Sequence, residues 1–84
     1  MKTANIQEFH KKFVEEYDFL YASRDNVAGF DEAVDAFDTM NKNDSFKKFV
    51  LEFVLYRNDY ITSDREAAAF MFTMESMGLL EKHF

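Results

Sequence analysis

Apolar residues recur along this chain at spacings of three and four, which place them on one side of a helix. Ile6, Phe9, Phe13, Tyr17 and Leu20 define a first helix over about 5–22. Asn5, with Glu8 three residues on, resembles a capping box at its start. "SRDN" breaks the pattern, and a second helix over about 25–40 follows, with Val27, Phe30, Val34 and Phe37 on its apolar face, widened by Ala33 and Met40. "NKND" ends it and offers Asn43 or Asp44 as the next N-cap.

The third helix, over about 45–59, is the richest in large apolar residues. Phe46, Phe49, Val50, Phe53, Val54, Tyr56 and Tyr60 leave only a narrow polar strip of Lys48, Glu52 and Asp59. Such a helix is expected to sit centrally and to touch at least two others. The fourth helix, over about 63–77, opens on Ser63 and Glu66, a capping box of the standard type. Gly78 is expected to stop it in the left-handed conformation, leaving a short turn over 79–84.

Helices of roughly 14–18 residues joined by short connections predict an all-α fold, a small four-helix bundle in a single domain over 1–84. An antiparallel up-down arrangement is favoured, with orthogonal helix packing as the alternative. The absence of proline and the presence of only two glycines, Gly29 and Gly78, argue against a turn-rich β-protein.

Composition adjusts this picture. A chain of 84 residues buries too little surface to be stable without a rich core, and 48% hydrophobic residues with 11 Phe supply one. There is no cysteine, hence no disulfide framework, no thiolate nucleophile and no cysteine-type zinc site. "MKTANIQEFHKKF" lacks a secretory apolar region, and no stretch approaches the roughly 20 apolar residues of a membrane span. A soluble, cytoplasmic protein without membrane contact is expected. A net charge of −6 opposes direct nucleic-acid binding, while permitting a basic protein partner or serving solubility alone.

Candidate chemistry is sparse. The chain has no phosphate-binding glycine loop, no nucleophile elbow and no H-E-x-x-H motif. His10 borders the apolar face of the first helix, and His83 is too distant in sequence to form a ligand pair with it. Asp31, Asp35 and Asp38 form an acidic ridge on one edge of the second helix, but no Glu-x-x-His pair accompanies them. "DNVAGFDEAVDAF" lacks the alternating ligands of a calcium loop. "AAAFMFTM" in the fourth helix cannot read bases as a recognition helix would. No catalytic residue, metal or cofactor is expected.

What remains is apolar surface in excess of one core face. On the fourth helix Ala67, Phe70, Met71, Met74 and Met77 share one arc, while Ala68, Phe72 and Leu79 fall roughly opposite, beside Glu75 and Arg65. Phe19 projects among Glu8, Lys12, Glu15 and Glu16, and Leu51 and Leu55 lie off the main face of the third helix. Phe19, Phe72 and Leu79, with Leu51 or Leu55, are therefore the candidate protein-binding patch, and Asp31, Asp35 and Asp38 the candidate acidic contact. The expected function is a non-enzymatic protein-binding module. In size, AT-rich-codon composition and lack of catalytic residues it resembles, as a class, phage or mobile-element accessory inhibitors. These bind a host defence or regulatory complex, as anti-CRISPR proteins do, and here the target would be a basic nucleic-acid-binding complex. The alternative is a structural or assembly protein acting as a homodimer.

Overall fold

A computed structural model describes residues 5–23 and 27–80. It contains α1 (Ile6–Ser23), α2 (Phe30–Met40), α3 (Asp44–Arg57) and α4 (Asp64–Ser76), and the described residues include no strand. The fold is a small all-α four-helix bundle.

Local chemistry accounts for most of the helix ends. The Asn5 side chain accepts from the Gln7 and Glu8 amides and caps α1. Asn43 does the same for α3, accepting from the Ser45 and Phe46 amides. Ser63 Oγ accepts from the Glu66 amide at 3.2 Å and caps α4. At the other end of α4, the Gly78 amide donates to the Glu75 carbonyl and the Leu79 amide to the Met74 carbonyl. With Gly78 at a φ of 68°, this is a Schellman turn.

Two boundaries depart from the sequence pattern. α2 begins at Phe30 instead of near residue 25, because Gly29 stands at a φ of 82°, a left-handed conformation that a helix cannot incorporate. Residues 24–26 lie outside the described residues. α3 stops at Arg57 because Asn58 is left-handed, with a φ of 60°. Tyr60, counted on the α3 apolar face from the sequence, therefore lies beyond the helix and is exposed.

The central helix is α4, not α3. Ala67, Ala68, Ala69, Phe70, Met71, Thr73 and Met74 are all buried, so α4 is covered on nearly every side. Eight successive positions, 67–74, carry no charge, and a helix without a charged face can be enclosed all round. Its alanines have little side chain to hold neighbours away, and the closest backbone approaches are those of α1 and α2 to α4 and of α1 to α3.

α3 contributes large rings from the periphery. Phe46 meets Phe37 of α2, and Phe53 meets Phe9 and Phe13 of α1. Most of these pairs are edge to face, which suits the ring quadrupoles. Phe70 of α4 is the common neighbour, with centroids 4.9 Å from Phe9, 5.6 Å from Phe37 and Phe46, 5.8 Å from Phe49 and 5.4 Å from Phe53. One hydrophobic cluster thus draws on all four helices. The buried Thr73 hydroxyl donates to the Ala69 carbonyl at 2.7 Å, so even this polar group is satisfied.

Candidate functional site

Most polar side chains at helix junctions serve the fold. Arg57, at the end of α3, is almost wholly buried and places Nη2 2.7 Å from Glu66 Oε2 in the first turn of α4. Its guanidinium lies 5.2 Å from the Phe13 ring centroid and 5.5 Å from that of Phe53, a stacked position that lysine could not reproduce. It also donates to Asp59 and to the Tyr60 carbonyl. Glu66 Oε1 accepts from the Thr62 amide at 2.8 Å and from the Thr62 and Ser63 hydroxyls. Burial alone would raise the Glu66 carboxyl, but hydrogen bonds from Arg57 and Thr62 and the guanidinium charge outweigh it and hold it below its ordinary value. This cluster ties the end of α3 to the first turn of α4.

Sequence reasoning passed over Arg57. The signal was its place four residues after Phe53, on a row otherwise apolar. His10 is half-buried against Phe53 and Tyr56, at centroid distances of 5.9 Å and 5.5 Å, and acts as a packing residue. His83 lies outside the described residues. Among the described residues, no group of three or more His, Asp or Glu is arranged to hold a metal ion.

An open groove between the C-terminal half of α1, the turn before α2 and the C-terminal half of α4 is the candidate site. Phe19 of α1 and Phe72 of α4 wall one hollow with Val27, Ala28 and Ser76. A second hollow continues along α2 past Gly29, Ala33 and Ala36, and ends at Met71 and Leu80. The two share Ala28, Phe72 and Glu75 and measure about 330 Å³ each. The rim carries Glu16 from α1, Glu32 from α2 and Glu75 from α4, and no basic residue among the described ones lines either hollow. None of these three carboxylates is ion-paired with a described residue.

The predicted patch is partly assembled and partly dismantled. Phe19 is 55% exposed and Phe72 half-buried, and the groove brings them together from different helices. Leu79 is buried, against the expectation of an exposed stripe. The helical-wheel angle that placed it there ends at Gly78, and the Schellman turn folds Leu79 back over Met74 into the core. Ala68, on the same arc, is fully buried because α4 is enclosed at that level. Arg65, also placed beside that arc, lies over the Tyr21 ring at 5.3 Å.

Leu51 and Leu55 are exposed on α3, and neither lines the groove, so the single patch proposed from the sequence divides into two regions. Asp31, Asp35 and Asp38 are exposed on α2 and likewise do not line it. The carboxylates that do are Glu16, Glu32 and Glu75. Two of them were visible in the sequence, Glu16 beside Phe19 and Glu75 beside Phe72, whereas Glu32 reaches the groove only through the packing of α2 on α4.

No protein-family model, no curated protein and no solved structure matches this chain. Among the described residues, no helix is long and apolar enough to cross a membrane.

Proposed function

We propose that the chain is a non-enzymatic protein-binding module that engages its partner through the groove around Phe19 and Phe72. The observation that carries this reading is the meeting of two phenylalanines from separate helices in an open hollow, one of them more than half exposed. Scattered exposed apolar residues are ordinary, but adjacent aromatics in a concave, carboxylate-rimmed surface are the composition of an interface. The partner class that suits the acidic surface is a basic nucleic-acid-binding complex. The biological role is antagonism of a host defence or regulatory complex by a phage or mobile-element accessory protein. The net charge of −6 supports that role by matching cations that would otherwise hold phosphates.

The test is affinity capture from host cells with wild type, Phe72→Asp and Asp31→Asn/Asp35→Asn/Asp38→Asn, each checked for folding by circular dichroism. Partners that disappear with Phe72→Asp support the groove. A capture profile identical for wild type and Phe72→Asp overturns it, and loss in the triple variant assigns a share of the contact to the α2 ridge.

A second reading, a homodimer with a structural role, is favoured by Leu51 and Leu55, which stand one turn apart and exposed on the outer face of α3. Sedimentation of wild type against Leu55→Lys separates the two. A dimer abolished by Leu55→Lys supports this reading, and a monomeric wild type excludes it.

A further inference from the structure

We propose that the occupant of the groove is an amphipathic helix of a partner protein, bearing lysine or arginine on the flanks of its apolar face. This rests on the protein-binding function proposed above and adds the partner's form and charge.

The form follows from what the surface offers. The described residues are helices and turns, with no strand edge onto which an extended segment could pair its backbone. Recognition must then run through side chains entering a groove, and a helix is the form that brings apolar anchors to one side while satisfying its own backbone. Ala28, Gly29, Ala33 and Ala36 keep the α2 side of the groove low, and Phe19 and Phe72 stand along it as walls. A helix laid there can approach closely and set residues at i, i+3, i+4 and i+7 against the two rings.

The charge follows from the rim. Glu16, Glu32 and Glu75 come from three different helices and, among the described residues, are the charged groups that line the hollows. Covering the groove removes water from one side of each carboxylate. A neutral segment leaves them with poorer solvation, an acidic one adds repulsion, and a basic one provides the counter-charge. The rim therefore favours a basic helix over a neutral one, and a neutral one over an acidic one.

The probe is a fluorescent helical peptide of about 18 residues, or five turns, made of leucine on one face and lysine on the other. Versions with glutamine and with glutamate in place of lysine accompany it. Fluorescence anisotropy against the full chain reads affinity. The expected order is lysine, then glutamine, then glutamate. The lysine peptide should lose about tenfold in affinity on the Glu16→Gln/Glu32→Gln/Glu75→Gln variant, as three solvated pairs of two- to threefold each imply. Its affinity should fall with added salt, and Phe19→Ala should weaken the lysine and glutamine peptides alike. Asp31→Asn/Asp35→Asn/Asp38→Asn, which removes three charges outside the groove, should lower the lysine peptide's affinity by less than the rim variant does.

Equal binding of the lysine and glutamine peptides, both dependent on Phe19, overturns the basic partner and leaves the protein-binding function standing. Lysine-peptide binding indifferent to Phe19→Ala overturns the groove as its seat. A homodimer dissolved by Phe72→Asp makes a second copy the occupant, and no binding by any peptide overturns the helical partner. The cell-capture experiment then judges the underlying function separately.

Discussion

Phe70 and Phe72 stand two residues apart on α4 and have opposite fates. Phe70 is fully buried at the junction of rings from α1, α2 and α3, whereas Phe72 is half-buried along an open groove. Two residues advance a helix by about 200°, so the two side chains look in nearly opposite directions. One face of α4 is committed to folding. The other is committed only over its first turns, where Ala68 is sealed, and opens at the level of Phe72. The same residue type can thus be structural or available on one helix, depending on how far the neighbouring helices extend alongside it.

The comparison can be broken most directly at Phe70. Phe70→Ala removes the ring on which five others converge and is expected to cost about 4 kcal/mol, read from urea unfolding midpoints. Phe72→Ala measured alongside must cost far less. A cost equal to that of Phe70→Ala makes Phe72 a core residue and closes the groove as a site.

The next largest effect tests how α4 is pinned at its start. Arg57→Ala leaves Glu66 partly buried without its cation and is expected to cost about 3 kcal/mol. Its signature lies in the pH dependence. The folded Glu66 carboxyl is held below its unfolded value, so its contribution is present above the ordinary glutamate pKa and is lost as pH falls through the lowered folded value. A series of unfolding midpoints from about pH 7 to about pH 3 should show wild type losing more stability on acidification than Arg57→Ala. Parallel curves would mean the pair contributes nothing to acid sensitivity.

Ala68→Leu sharpens the division within the outer arc. Overfilling a sealed position is expected to cost about 2 kcal/mol in the same unfolding assay. A neutral result would show that α1 and α2 leave room there and that the groove runs the whole length of α4. The smallest effect belongs to Phe72→Ala, about 1 kcal/mol for a half-buried ring, with thermal unfolding as the readout and partner binding as the larger loss.

What could be read from the sequence was local. Asn5, Ser63 and Gly78 are legible as helix ends, and Asn43 as one of two N-cap candidates beside Asp44, because a cap or a left-handed stop depends on a few adjacent residues. Gly29 carries no such local mark, because a lone glycine also occurs inside helices, and only its left-handed φ delays the start of α2 to Phe30. A helical-wheel angle does not hold through the chain reversal at Gly78, so Leu79 lies in the core and not on the outer stripe. The large residues of α3 point to it as the centre of the bundle, but the uncharged run of α4 is the stronger signal. For the site, Phe19 and Phe72 could each be singled out, but their meeting depends on the packing of α1 against α4, which no local pattern encodes. Arg57 was hidden for a similar reason. Its cation-and-ring environment exists only once α1, α3 and α4 are assembled.

The central position of α4 has a temporal consequence. Synthesis makes α1, α2 and α3 before α4, each with an apolar face whose shared neighbour, Phe70, comes last. At about 5–20 residues per second, the phenylalanines of α1 wait several seconds for it. During that interval the leading helices have only one another and the cell's chaperones to shield them. Synthesis that halts before α4 yields a chain with greasy helices and no keystone, a product suited to rapid proteolysis and not to partial activity.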